Sequence, residues 1–395
     1  MAKSFKIEAM VDQDRMKRRT KIVCTLGPAS KSADAIEGML KGGMDIARFN
    51  LAHGTLTEHG QLIGKVRQLS KRLKLTTGII IDLPGLKRSA GDMKDVFGEH
   101  LHFALSQNAT FVALSFISSA SQVKEVKELL TGMGADIPII VKIEKAGALE
   151  EIDAILEICE GIMVARGDLG IEIRIEKVPL AQKQLIKKSN HRGKPAITAT
   201  QMLESMVESP TPTRAEATDV ANAVLDGTDA VMLSGETAIG KYPVEATETM
   251  ARIVLEAETA FPYGKMLYEK EWDVLPEVND ATTRAACQIA AQVGARAIIA
   301  FTTGGTTALR VSKYRPRQPI IAVTPSENVL RCLSLAWGVL PVKRREPLSL
   351  EDVFEQATEV VMATGTAARG DLIVITAGLP LAVPGGTNLV KAHRV

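Results

Sequence analysis

Apolar residues along this chain gather in short, nearly unbroken runs, separated by longer stretches where they recur every three or four positions. The first eight runs are KIVCTL from Lys21, DIARFN from Asp45, GIIIDL from Gly78, TFVALSF from Thr110, IIVKIE from Ile139, GIMVAR from Gly161, PAITAT from Pro195 and DAVMLS from Asp229. Continuous rather than alternating hydrophobicity predicts strands covered on both faces, as in a parallel sheet. Between them, Val123, Val126, Leu129 and Leu130 mark one helical face, and Leu149, Ile152, Ile155, Leu156 and Cys159 another. TRAE from Thr213 reads as a helix-opening capping box, and Gly193 in HRGKP as a helix stop.

Eight strands, each followed by a helix, predict an α/β fold of the (β/α)8 TIM-barrel type over residues 19–262, after an N-terminal segment 1–18. A doubly wound sheet would place a glycine fingerprint after its first strand, and TLGPAS lacks it. Residues 263–280 read as a connection. The pattern then restarts with RAIIAF from Arg296, PIIAV from Pro319, GVLPV from Gly338 and DLIVIT from Asp371, which predicts a smaller C-terminal α/β domain over 281–395.

Composition narrows the function classes. A net charge of +2 provides no field for nucleic acid or an anionic membrane, and 4% aromatic residues leave little for base stacking. Cys24, Cys159, Cys287 and Cys332 are far apart, with no paired spacing for zinc, so free thiols are expected. The N-terminus is too polar for a signal peptide and no apolar run spans a bilayer, so a cytoplasmic protein is expected.

The candidate chemistry lies where the strands end. Arg48, Asn50 and His53 follow the second run, Asp82 and Lys87 the third, Arg166, Gly167 and Asp168 the sixth, Thr200 the seventh, and Ser234 and Glu236 the eighth. Lys142 and Glu144 share one side of the fifth, two positions apart. In a barrel these ends open on one face, the face that carries active sites. Glu144 and Asp168, from neighbouring strands, suit an octahedral Mg2+ (or Mn2+) site, while Arg48 and Lys142 add positive charge. Gly167 and Gly170 let backbone approach a ligand. The sum is a site for a small, anionic, metal-bridged phosphoryl compound. Taken singly, Lys142 and Glu144 could be a surface ion pair and GDLG a turn. The stretch Thr302, Thr303, Gly304, Gly305, Thr306, Thr307 is either a plain strand-to-helix turn or a phosphate loop for an effector.

Several long stretches look like the pyruvate kinase family: TKIVCTLGPAS, ARFNLAHG, VKIEKAGALEEIDAI, GIMVARGDLGIEI, ITATQMLESM, PTRAEATDVANAVLDGTDAVMLSGETAIGKYPVEA and GTNLVKAHRV. The resemblance covers nearly the whole chain. It implies a barrel, a C-terminal α/β domain, a homotetramer, and phosphoryl transfer from phosphoenolpyruvate to ADP, giving pyruvate and ATP in glycolysis. On matching positions, Lys142 corresponds to the family's catalytic lysine, and Glu144 and Asp168 to its divalent-metal ligands. Arg48 and Asn50 correspond to phosphate and cation contacts, His53 to a nucleotide contact, and Thr200 to a threonine near the enolate carbon.

Three departures stand out. The family inserts a lid domain after the third barrel strand. Here Asp82-Leu83-Pro84-Gly85 resembles its base, but the chain passes from Ser89 directly into DVFGEHLHFALSQ, so the lid is absent near 89–97. Ala52 replaces a serine of the monovalent-cation site, and Lys87 resembles the lysine of potassium-independent members, so no K+ requirement is expected. Ser89 falls where the family has an arginine, with Arg88 beside it. A missing lid implies reduced activity. It also leaves room for an inactive metabolite-binding homologue, or for an enolate-forming enzyme acting on pyruvate.

Overall fold

A computed structural model describes residues 17–85, 93–268, 275–381 and 386–395. Two compact units emerge, one made of Thr20–Ser70 and Thr77–Phe261, the other chiefly of Pro262–Val395.

In the first unit, parallel strands β1 (Lys21–Thr25), β2 (Ile46–Asn50), β3 (Gly78–Asp82), β4 (Phe111–Leu114), β5 (Ile139–Ile143), β6 (Gly161–Ala165), β7 (Ala196–Ala199) and β8 (Ala230–Leu233) pair in chain order. They close into a barrel when β8 returns to β1, with Lys21 opposite Ala230 and Cys24 opposite Leu233. Most strand positions are fully buried, which explains why the runs lack alternation: the barrel interior covers one face and the helices the other. Thr213 caps the Arg214–Leu225 helix as its sequence announced, its hydroxyl accepting from the Glu216 N–H while Glu216 reaches back to the Thr213 N–H.

One helix differs from expectation. The face read from Leu149 to Cys159 belongs to two short helices, Ala146–Glu150 and Ile152–Ile158, and Cys159 already lies beyond the second in extended backbone. The break at Glu151 leaves the apolar spacing intact, so periodicity alone could not reveal it.

After β3, the next described element is a helix, Met93–Ser106.

In the second unit, β9 (Ile298–Phe301), β10 (Ile320–Thr324), β11 (Val339–Lys343), β12 (Leu372–Gly378) and β13 (Thr387–Arg394) form a sheet of order β11-β10-β9-β12-β13. β13 was not read as a strand. It runs antiparallel to β12 at the sheet edge and is only partly buried, so it lacks the apolar run that marked the others. Within 263–280 the chain forms a short helix, Tyr263–Tyr268, and Val278 already opens the next. The sheet packs apolar clusters on both faces, with Ile298, Ile320 and Val374 on one and Ile299, Ile321 and Ile375 on the other.

Candidate active site

Strand pairing sets the site. Parallel register places Asn50 opposite Asp82 and Asp82 opposite Ala113, so the carboxyl ends of β2, β3 and β4 are level. Arg48 and Asp82 are both buried, and charges taken out of water must find partners. Arg48 donates from Nε (2.8 Å) and Nη2 (2.6 Å) to one oxygen, Asp82 Oδ2, and from Nη1 to Thr25 Oγ1 at 2.8 Å. Ser115, just past β4, donates to the other Asp82 oxygen at 3.1 Å.

Lys142 joins this group from β5. Its ammonium donates to Ser115 Oγ at 2.8 Å and stands 3.5 Å from Asp82 Oδ2 and 2.8 Å from Glu144 Oε1. Burial alone would raise the Asp82 carboxyl, but the Arg48 and Lys142 charges outweigh it and hold the group below the usual range. Glu144 goes the other way. Its side chain has no exposed surface, and burial pushes its carboxyl up despite Lys142, with the nearby Asp168 charge adding to the rise.

Glu144 Oε2 accepts the Phe116 N–H at 2.6 Å. Phe116 adopts φ +59, rare for a bulky residue, and its ring fills the space left by the missing side chain of Gly85, where a Cβ would come within 2.1 Å of Cδ2. Glu144 Oε1 is buried and close to Lys142, yet the contact lies outside hydrogen-bond geometry. That oxygen therefore keeps an undirected lone pair. Glu144 and Asp168 fit a hard divalent cation, which takes oxygen ligands and completes its shell with water and substrate oxygens. Among the described residues no group of three or more His, Cys, Asp or Glu could hold a metal without such additions.

Thr200 lies beside the start of the Arg166–Glu172 helix, where its Oγ1 accepts the Gly167 N–H at 2.9 Å. That N–H is thus engaged within the protein. Gly170 is also explained locally, since a Cβ there would meet Ile175 Cδ1 at 3.2 Å. Asn50 turns its Oδ1 to the Ala52 N–H (3.2 Å). His53 is exposed in the same turn, its carbonyl 2.7 Å from His59 Nε2. Lys87 lies outside the described residues. Glu236 is a staple: its carboxylate accepts the Leu203 N–H (3.0 Å) and the Ser234 N–H (2.7 Å), tying the ends of β7 and β8.

Sequence reading missed Ser115 and Thr25, which link the charged residues into one network. Their only signal was position, the final residue of one strand and the first residue after another.

In the second unit, Thr302 Oγ1 accepts the Gly305 N–H (2.9 Å), and Gly305 takes φ +91 as the Thr306–Lys313 helix begins. A cavity there is lined by Thr302, Thr303, Gly304, Thr306, Thr307 and Arg345, among others.

With this geometry in place, comparison with known proteins is decisive. The family model "Pyruvate kinase, barrel domain" matches residues 17–100 and 92–247, and "Pyruvate kinase, alpha/beta domain" matches 280–393. The chain belongs to the pyruvate kinase family. A Staphylococcus aureus pyruvate kinase is 37% identical, and one from Staphylococcus epidermidis is 36% identical; each alignment covers 96% of this chain and 80% of the relative. Each runs over 471 positions, more than the 395 residues available here, so these pyruvate kinases carry internal residues that this chain lacks. The barrel match comes in two pieces that overlap at 92–100.

Proposed function

We propose that this protein transfers the phosphoryl group of phosphoenolpyruvate to ADP. One observation carries the reading: the Lys142 ammonium is held among Ser115, Asp82 and Glu144 where β3, β4 and β5 end. The enol oxygen–phosphorus bond breaks, a bond forms to the terminal phosphate oxygen of ADP, and the enolate left behind takes a proton at its methylene carbon to give pyruvate. Lys142 stabilises negative charge on the phosphoryl group in flight. Arg48, anchored by Asp82 and Thr25, presents its remaining N–H groups to phosphate. Glu144 and Asp168 would hold a divalent ion, Mg2+ or Mn2+, which when bound neutralises phosphate charge. Thr200 stands by the carbon that is protonated. The family resemblance implies contacts for Asn50 and His53, and Asp82, Lys87 and Gly167 are further candidates for substrate and nucleotide contact by their sequence positions at the strand ends.

The absent lid supports slow turnover, because water reaches the mouth and the nucleotide loses one wall of its site. Each 1.4 kcal/mol of lost stabilisation costs about tenfold in rate. Lys87 and Ala52 support activity without K+. Residues 302–307 support binding of a phosphorylated effector, and the family resemblance supports a cytoplasmic homotetramer. No helix among the described residues is long and apolar enough to cross a membrane.

The test is a coupled assay with phosphoenolpyruvate, ADP and Mg2+, with and without K+. Pyruvate formation that depends on ADP and Mg2+ but not on K+ is expected. Ligand binding without product would favour a metabolite-binding homologue. Exchange of pyruvate methyl protons with D2O and no use of ADP would favour a different enolate enzyme.

A further inference from the structure

Thr200 and Gln201 are consecutive residues with φ +66 and +55, and neither is glycine. A β-branched residue in this region is a steric outlier that persists only where its surroundings fix it. Here the Thr200 hydroxyl donates to the Ala199 carbonyl (2.7 Å) and accepts the Gly167 N–H, and one further side chain holds the backbone. Arg166, buried at the end of β6, donates from Nε to the Ala199 carbonyl (3.2 Å) and from Nη2 to the Thr200 carbonyl (2.6 Å) and Met202 Sδ (2.8 Å). It thus grips both peptide groups that flank the outlier. Its third nitrogen, Nη1, points away from them to Asp219 Oδ1 (2.7 Å) and Gln182 Oε1 (3.3 Å).

The same residue opens the helix whose Gly167 N–H binds the Thr200 hydroxyl, with Asp168 next along. One guanidinium therefore joins two neighbouring strand ends, one bearing a candidate metal ligand and the other a candidate participant in protonation. If the backbone at Thr200 relaxed to negative φ, its carbonyl and side chain would both turn, and the hydroxyl would leave Gly167.

We infer that Arg166, oriented by Asp219, is a positioning residue that holds the Thr200 hydroxyl in working alignment with the Gly167–Asp168 turn. The inference rests on the proposed part played by Thr200 and adds to it the device that keeps Thr200 in place. Asp219 is the better handle for a test, because it is partly exposed and its loss leaves Arg166 its other acceptors.

The experiment compares Asp219→Ala, Asp219→Asn and Thr200→Val in the full-length protein. Turnover is followed with phosphoenolpyruvate, ADP and Mg2+. Exchange of pyruvate methyl protons in D2O with Mg2+, read by proton NMR, gives the same comparison where phosphoryl transfer is slow. Asp219→Ala should lower kcat roughly tenfold to a hundredfold while KM for phosphoenolpyruvate stays within about twofold, as expected for lost alignment rather than lost binding. Asp219→Asn, whose amide oxygen still accepts from Nη1, should restore most of the rate. If Thr200→Val loses turnover but Asp219→Ala keeps it, the clamp is overturned and the site reading stands. If kcat and thermal midpoint fall together and asparagine restores neither, Asp219 is merely structural and the inference also fails. If Thr200→Val keeps full turnover, the reading of Thr200 falls and takes the clamp with it.

Discussion

Lys142 and Glu144, two residues apart where β5 ends, form an ion pair of 2.8 Å in which the carboxylate has no exposed surface. A buried carboxylate with a single cation beside it is poorly compensated, and Glu144 responds with a raised pKa. A pair built for stability alone would have both oxygens fully hydrogen-bonded. Here Oε2 accepts the Phe116 N–H, while Oε1 has the Lys142 ammonium at 2.8 Å and no further hydrogen bond.

Replacing Lys142 by methionine keeps the stem and removes the charge. Turnover should fall about a hundredfold to a thousandfold, the usual cost of removing one charge-stabilising donor. Steady-state rates with phosphoenolpyruvate and ADP provide the check, and an unchanged kcat would remove Lys142 from the mechanism.

Asp82→Asn should destabilise the protein by about 3–5 kcal/mol, because Arg48 would remain buried without its counter-charge. The effect has a definite pH dependence. The Asp82 pKa is lowered in the folded state, so its stabilisation is present above the unfolded value, roughly 3.9, and is lost as pH falls through the lower folded value. Urea unfolding of both proteins should therefore show a gap that is constant near neutral pH and closes in acid. A gap that widens in acid would contradict the assignment.

Thr213→Ala removes a helix cap and should cost about 1 kcal/mol. Glu216→Ala should cost more, since that carboxylate also accepts the Ser205 N–H (2.7 Å) and hydroxyl (2.6 Å) and so ties the loop after β7 to the helix. Paired denaturation curves test the order. Equal costs would mean that the Ser205 bonds contribute nothing net.

Cys24, Cys159 and Cys287 are buried, and burial raises the thiol pKa of Cys159 to about 11 and pushes Cys287 up as well. Cys332 is half-buried. A thiol reagent at pH 8 should label Cys332 first in the native protein, with the others following only on unfolding. Mass spectrometry of timed digests would show the sequence of labelling, and early modification of Cys287 would contradict the packing around it.

The barrel was legible because double-sided burial writes itself into sequence as unbroken apolar runs, such as Ile79-Ile80-Ile81. β13 was not legible, since an edge strand that mixes Thr, Asn, Lys, His and Arg with a few apolar residues looks like a loop. In the candidate site, the charged residues stood out because Arg, Lys, Asp and Glu are costly to bury and their positions at strand ends coincided. Ser115 and Thr25 are ordinary residue types that acquire meaning only from what faces them. The strain at Thr200 could not be read at all. Left-handed backbone is usually signalled by glycine, and here a threonine adopts it with its carbonyl hydrogen-bonded to Arg166.

Only ten residues separate the end of β3 at Asp82 from the helix that begins at Met93, and the eight strands still close into a barrel. Closing a longer excursion at that point costs entropy only as the logarithm of its length, so such an appendage could come or go without disturbing the eight strands. Barrel and lid are separable parts, and this chain keeps the barrel with its candidate site while going without the lid.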